Sequence, residues 1–125
     1  LKRAQILAGD IWGAFNGKGI GAFNDVNYLT AFPDYKLPQI LEYWGILKYL
    51  PVLRKKIEQR KLIRAGSQEE VEIRAGTVWA AELLKKAMHR RGLLFSSIDI
   101  DWILWNESKR IELPTPHHVT KTIFY

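Results

Sequence analysis

The chain has 125 residues, of which 47% are apolar and 12% aromatic, with a net charge of +6 and no cysteine. This length suits one domain or part of one with a real core, and the composition excludes a disordered or low-complexity chain. Without cysteine there is no disulfide framework, thiol nucleophile or Cys-ligated metal, which favours an intracellular, cytoplasmic protein. No apolar run approaches the roughly 18 residues of a membrane helix and no secretory leader pattern is visible, so we expect neither membrane insertion nor secretion.

The first stretch, residues 2 to 15, places its apolar residues at helical spacing and predicts an amphipathic helix, with Gly9 and Gly13 as close-packing points. Leu1 already belongs to this pattern without a start signal, so we expect the chain to be a fragment that lacks its N-terminal part. Lys2 and Asp10 lie about two turns apart on one side of this helix. They could therefore project into a shared cleft, and simple solvation is the alternative.

A glycine-rich turn follows at residues 16 to 21. A Walker pattern is absent and no strand precedes the turn, so a helical hairpin is favoured over a phosphate-binding loop. Residues 25 to 32 then predict a short helix.

Asp34 is the strongest candidate for chemistry. It lies between Pro33 and Pro38, which restrict the backbone on both sides, and between Phe32 and Tyr35, whose rings can shield it from water. The alternative is a helix N-cap. A cap here would put Pro38 at the fourth helical position and remove a backbone donor, so we predict instead a helix that begins at Pro38 and leaves Asp34 in the preceding turn. Both interpretations stay open on residue types alone.

One further helix is predicted before the longest one. It covers residues 52 to 63, and Gly66 marks the boundary that follows it. Ser67 with Glu70 forms a capping box that starts a long helix, which Gly92 closes. The apolar face predicted for this helix comprises Val71, Ala75, Val78, Trp79, Leu83 and Met88.

The last helix is predicted to be capped by Ser97 and to run through Trp105, and the tail from Leu113 suggests at most a short extended segment. In an extended tail the adjacent His117 and His118 would point to opposite sides, and no other ligand spacing occurs, so no metal site is expected. The chain is therefore predicted to be all-α.

Charged residues on the last two helices allow two interpretations. Asp101 is flanked by apolar residues and must be paired or functional if it faces inward. Pairing with Arg74 or with a lysine is the simpler interpretation. The net charge of +6 favours an anionic partner such as a nucleotide phosphate or nucleic acid, although most basic residues lie on solvated helical faces or at a helix C-terminus and need no ligand.

A series of motifs runs along the chain in a specific order: Lys2-Arg3-Ala4-Gln5, Asp10 and Trp12, Gly17-Lys18-Gly19, Phe23, Leu29-Thr30, Phe32, Asp34, Tyr35, Pro38 and Gln39, Glu70 to Arg74, Trp79, Glu82, Asp101, Leu104 and Trp105, and the ending His118 to Tyr125. Together they resemble the queuosine salvage protein family, the queuosine 5′-phosphate N-glycosylases. The family's fold is similar to that of helix-hairpin-helix DNA glycosylases. Residues 1–125 would then be the C-terminal part of a single helical glycosylase-like domain.

The resemblance implies hydrolysis of the N-glycosidic bond of queuosine 5′-monophosphate, which releases queuine for reuse in tRNA modification, without a cofactor. The 7-deaza base has carbon in place of N7, so help for the leaving group must come at another polar edge. The implied catalytic residues are Asp34 and Lys2. The implied substrate-binding residues are Phe32, Tyr35, Asp101, Glu72 and Arg74.

The expected partners are this small-molecule substrate and the missing N-terminal half of the same protein, with no membrane and no stable nucleic-acid partner. Two alternatives remain. The chain could be a non-catalytic helix-hairpin-helix module that binds nucleic-acid phosphates, or an inactive fragment of the enzyme.

Overall fold

A computed structural model describes residues 2–123, which form five α-helices. They are α1 (Lys2–Ala14), α2 (Lys36–Tyr43), α3 (Pro51–Glu58), α4 (Gln68–His89) and α5 (Ser97–Arg110), with single 3₁₀ turns at Gly19–Gly21 and Val26–Tyr28. The only β-type pairing within the described range is one bridge between Leu62 and Val119. The all-α prediction is confirmed, whereas Leu1, Phe124 and Tyr125, which the predicted first helix and family-like ending include, lie outside the described residues.

The main core forms where α2, α4 and α5 pack against one another. Its aliphatic side chains come mainly from α2 and α5, and each fully buried one contributes roughly 1.5–3 kcal/mol. From α4 the core receives small residues, which let the other two helices approach its backbone closely. The core residues are Ala31, Leu37, Ile40, Leu41, Ala80, Ala81, Ile100 and Leu104.

The predicted apolar face of α4 is largely wrong, although Met88, one of its predicted members, does pack against the core. Trp79 is 63% exposed and Leu83 48% exposed, and Val71 and Ala75 are exposed as well. The prediction followed the largest apolar residues of α4, but the residues that α4 places against α2 and α5 in the core are the small Ala80 and Ala81. The side chains that α4 buries are Glu70, Ile73, Thr77, Ala80 and Ala81, at the helical spacing of one stripe.

The helix caps follow local hydrogen bonding. At α4 the predicted start at Ser67 is confirmed, because the Ser67 hydroxyl accepts a bond from the Glu70 N–H at 3.4 Å. The Glu70 carboxylate accepts a bond from the Gly66 N–H at 3.0 Å, where the predicted capping box has it accept from Ser67. At α5 the cap is Ser96 and not Ser97, so that prediction is wrong by one residue. Ser96 and Asp99 form both halves of a capping box, in which the Ser96 N–H donates to the Asp99 carboxylate at 2.8 Å. Asp99, three residues after Ser96, decides between the two serines.

Helix α1 reaches the rest of the fold through its glycines. A Cβ on Gly9 would meet the Phe32 ring at 3.5 Å, and one on Gly13 would meet Trp102 of α5 at 2.4 Å. Gly13 is therefore a close-packing point, as predicted, whereas a Cβ on Gly9 would make only ordinary contact. The two contacts bring α1 beside α5 and beside the segment that precedes α2.

The segment after α5 runs back across the molecule. The Gln39 amide donates to the Thr115 carbonyl at 2.6 Å, and the Ile63 N–H donates to the Val119 carbonyl at 2.8 Å. The two histidines go to different surroundings, since the His117 ring packs on Tyr35 and His118 is buried. The pKa of His118 is lowered to about 4, mainly by burial and also by the neighbouring His117, while Glu70 opposes the shift.

Candidate active site

Side chains from three parts of the chain line one cleft of about 350 Å³. Helix α1 contributes a row of residues at helical spacing, the segment before α2 contributes two residues, and α5 contributes three. The prediction that Lys2 and Asp10 share a cleft is confirmed. The lining residues are Lys2, Ile6, Asp10, Phe32, Asp34, Asp101, Trp102 and Trp105.

Asp34 both caps a helix and lines the cleft. Its Oδ1 accepts bonds from the backbone N–H groups of Lys36 at 2.7 Å and Leu37 at 2.9 Å. Helix α2 begins at Lys36, so the predicted start at Pro38 is wrong. Pro38 is the third residue of this helix, so its missing N–H removes no helical bond, because the first four N–H groups of a helix have no intrahelical partner. Both capping bonds use Oδ1, so the cap itself does not occupy Oδ2.

Asp101 lies deeper in the same cleft and is only 7% exposed. Its Oδ1 accepts a bond from the Phe32 backbone N–H at 2.6 Å, which joins α5 to the segment before α2. Burial raises the pKa of Asp101 to about 7, the Phe32 N–H and Lys2 lower it, and Asp34 and Asp10 raise it. A carboxyl group with this pKa exchanges its proton near neutral pH.

Lys2 lies within electrostatic reach of both carboxylates. Burial lowers the pKa of its ammonium group, while the charges of Asp34 and Asp101 raise it and that of Arg74 lowers it again. The cleft thus places one amine beside two carboxyl groups in partly desolvated surroundings, where charge interactions are stronger than in water.

Arg74 and Glu72 both lie on α4, but neither is among the residues that line this cleft, and Arg74 interacts with one of them. The Arg74 Nε lies 2.6 Å from a carboxylate oxygen of the buried Glu70, so the pairing of Arg74 with Asp101 is not what the structure has. The positive charge of Arg74 nevertheless lowers the pKa of Lys2. Glu72 is exposed, accepts a bond from Gln68 at 2.8 Å, and lines a separate, mainly apolar cleft of about 220 Å³ between α3 and α4.

The two aromatic neighbours of Asp34 lie in different places relative to the cleft. Phe32 is buried, and its ring is part of the cleft wall. Tyr35 is 38% exposed and its ring packs on His117, with the ring centres 4.7 Å apart. Tyr35 therefore lies beside the cleft and does not form its lining.

Three lining residues were not singled out as site residues from the sequence, namely Ile6, Trp102 and Trp105. Helical spacing carried a usable signal for two of them, because Ile6 is four residues from Lys2 and Trp105 four residues from Asp101. Trp102 is adjacent to Asp101 in the sequence, so helical spacing gives no such signal for it. It stacks on Trp12 of α1 with ring centres 6.3 Å apart and also faces the cleft.

Comparison with known proteins adds the family. The family model described as queuosine salvage protein matches residues 1–125. The chain belongs to the queuosine salvage protein family. It is similar to proteins named queuosine 5′-phosphate N-glycosylase/hydrolase from Sphaerobacter thermophilus, with 51% identity over 125 residues, and from Dictyostelium discoideum, with 44% identity over 126 residues. The corresponding mouse protein, from Mus musculus, is 37% identical over 134 residues.

These matches cover 99% of this chain but 39% of the length of the Sphaerobacter and Dictyostelium proteins and 40% of the mouse protein. Within residues 2–123, no helix has the length and apolar character needed to cross a membrane. The same part of the chain contains no group of three or more His, Asp or Glu side chains placed to hold a metal ion.

Proposed function

We propose that this chain carries the reaction centre of a queuosine 5′-phosphate N-glycosylase/hydrolase, which hydrolyses the N-glycosidic bond of queuosine 5′-monophosphate and releases queuine in the cytoplasm. The observation that carries the proposal is the convergence of Lys2, Asp34 and Asp101 on one cleft. The proposed substrate is supported by the names of the relatives, whose matches cover 99% of this chain. The proposed single domain would be completed by the remainder of a full-length family member.

Hydrolysis of a glycosidic bond passes through a transition state that resembles an oxocarbenium ion, so the protein must stabilise positive charge at the sugar. The two backbone bonds to Oδ1 hold the Asp34 carboxylate in a fixed direction at the cleft. A preorganised carboxylate of this kind stabilises developing positive charge without having to reorient during the reaction. We assign Asp34 this role, together with orientation of the attacking water.

The departing base needs a proton at one of its polar edges. Asp101 suits this task because burial raises its pKa to about 7, so that a substantial fraction of the carboxyl groups is protonated at neutral pH. Its Oδ1 is engaged by the Phe32 N–H, which leaves Oδ2 as the oxygen to carry the proton. Two carboxyl groups in different surroundings can thereby divide the acid and charge-stabilising roles.

The 5′-phosphate of the substrate requires positive charge near the cleft. Lys2 lines the cleft itself, and Arg74 is close enough to affect the charge of Lys2. We propose that Lys2 contacts the ribose phosphate side of the substrate and that Arg74 supplies longer-range attraction. Phe32 would pack against the base or sugar, Tyr35 would act at the rim, and the separate position of Glu72 leaves it little part in binding.

The alternative of a nucleic-acid-binding module has less support, because five of the 19 lysine and arginine residues are already paired with glutamates. Arg54, Lys56, Arg74, Lys85 and Arg110 each form an ion pair with a glutamate. We therefore propose that neither nucleic acid nor a membrane is a stable partner. Because the chain spans 39% of its Sphaerobacter relative, we also propose that activity depends on the remainder of the protein.

The test compares this chain and the longest natural version that contains it, each incubated with queuosine 5′-monophosphate while released queuine is measured by liquid chromatography and mass spectrometry. In the longer protein, Asp34→Asn should lower turnover by about 10²–10⁴-fold, the range found for positioned acid–base groups. Asparagine caps helices about as well as aspartate, so helical content and melting temperature should change little.

Asp25→Asn is the matched control, because Asp25 is an exposed carboxylate that is not among the residues lining the cleft. It should leave turnover within about twofold of the unmodified protein, in line with the small effects of most surface changes. Retained turnover in Asp34→Asn would remove Asp34 from the mechanism. A lack of queuine release by either unmodified protein, together with salt-sensitive RNA binding that ignores Asp34→Asn, would favour the binding module.

A further inference from the structure

One helical glycine stands directly against the cleft wall. A Cβ built on Gly13 would lie 2.4 Å from Cη2 of Trp102, and two more atoms of that ring would lie at 3.2 and 3.3 Å. Ordinary contacts between carbon atoms are about 3.5–4.0 Å. The Trp102 ring can occupy its present position only because residue 13 has no side chain.

The backbone gives no reason for a glycine at this position. Gly13 lies inside α1 and is not one of the glycines with a positive φ, unlike Gly17 and Gly19. Glycine is also less favourable than alanine in a helix interior. The contact with Trp102 therefore accounts for the residue, and helix geometry does not.

The Trp102 ring is held on one side and open on another. It stacks on Trp12 at a centroid distance of 6.3 Å with 27° between the ring planes. It also lines the cleft with its neighbour Asp101. A methyl group on residue 13 would push the ring about 1 Å away to restore an ordinary contact, and the cleft is empty space next to the ring.

We propose that Gly13 is a positioning residue that sets the width of the cleft through the Trp102 ring. This inference rests on the proposed function for the identity of the ligand, but its physical content concerns only the ring. Gly13 itself does not line the cleft, so its effect on the reaction passes entirely through Trp102. A ring displaced by about 1 Å into the cleft would leave less room for the ligand, so the effect should be measurable as weaker binding, that is, a higher KM.

The test is a double-mutant cycle in the longest natural version of the protein, with Gly13→Ala, Trp102→Phe and the double variant. Phenylalanine lacks the outer part of the indole, including the Cη2 atom that a Cβ would meet. Gly13→Ala alone should raise the KM for queuosine 5′-monophosphate about tenfold or more. In the Trp102→Phe background the same substitution should change KM less than twofold.

Gly9→Ala is the matched control on the same helix. Its Cβ would meet the nearest atoms of Phe32 and Ile98 at 3.5–3.6 Å, which is ordinary contact. It therefore adds the same methyl group to the same helix without displacing a ring, and its KM should stay within about twofold. Equal losses from Gly13→Ala in both backgrounds would overturn the proposal, because a purely structural effect on α1 would not depend on the indole.

A second readout separates this inference from the proposed function. The Trp12–Trp102 stack should give a near-ultraviolet circular dichroism signal that Gly13→Ala alters and Gly9→Ala preserves. If no queuine is released by the unmodified protein, an altered signal still supports the positioning role and an unchanged one overturns it. If Gly13→Ala fails to fold, the double variant should restore folding, and its failure to do so would count against the proposal.

Discussion

Replacing Asp101 by asparagine should make the folded protein progressively more stable than the unmodified protein as the pH rises. Asparagine keeps an oxygen that accepts the Phe32 N–H bond but carries no charge into the cleft. The pKa of Asp101 is about 7 in the folded protein, against an ordinary value of 3.8. A raised carboxyl pKa means that the folded state binds the proton more tightly than the unfolded state.

The sign and size follow from this difference. Asp101 contributes its full stability below pH 3.8 and loses that contribution as the pH rises to about 7. At about 1.4 kcal/mol per pH unit, the whole loss amounts to about 4 kcal/mol. Between pH 5 and pH 8 the Asp101→Asn variant should therefore gain about 2–3 kcal/mol relative to the unmodified protein.

Guanidinium denaturation followed by circular dichroism at pH 5, 6, 7 and 8 measures this gain, in the longest natural version of the protein. Asp25→Asn serves as the control for removing an exposed carboxylate, and its difference from the unmodified protein should stay small throughout. A difference for Asp101→Asn that stays flat or falls over this range would refute the assignment of Asp101 as a buried carboxyl group with a raised pKa. Loss of base release in the same variant would add that the proton is needed for the reaction.

Three further outcomes are expected. Arg74→Met removes the ion-pair partner of the buried Glu70 and should cost roughly 1–3 kcal/mol in denaturant unfolding, whereas Arg74→Lys should recover part of it. Ser96→Ala should lower the free energy of unfolding by about 1 kcal/mol, because it removes the hydroxyl that accepts the Asp99 N–H bond at the start of α5. An unchanged melting temperature would contradict this cap. Because burial lowers the pKa of His118 to about 4, the folded protein loses stability as the pH falls below 6.5. In His118→Gln the melting temperature should therefore fall less between pH 7 and pH 4.5 than it does in the unmodified protein.

The sequence was most informative where one local pattern decides the structure. Gly13 indicated the close approach of α1, and Ser67 before α4 together with Glu70 in its first turn indicated where α4 begins. Two serines in a row before α5 were ambiguous, since only the acid three residues after Ser96 shows which one caps. Helical spacing also brought Lys2 and Asp10 to one cleft, because this relation lies within a single element.

Relations between distant elements were harder to predict. The buried stripe of α4 uses Thr77, Ala80 and Ala81 because two other helices approach it, and nothing in α4 alone gives that information. Asp101 was recognised as a buried acid, but its bond from the Phe32 backbone joins residues 69 positions apart. The sequence presented the helix cap and the cleft residue as alternatives for Asp34, whereas in the structure Asp34 is both.

The shared duty of Asp34 has a consequence for which substitutions the position can accept. A glutamate would keep the negative charge, but its extra methylene would carry the carboxylate away from the amide hydrogens of Lys36 and Leu37. The side-chain length at this position is therefore restricted by the helix, while its charge is restricted by the cleft. Aspartate satisfies both restrictions at once, so a change in the first turn of α2 would alter the aim of the carboxylate even if it touched no part of a bound nucleotide.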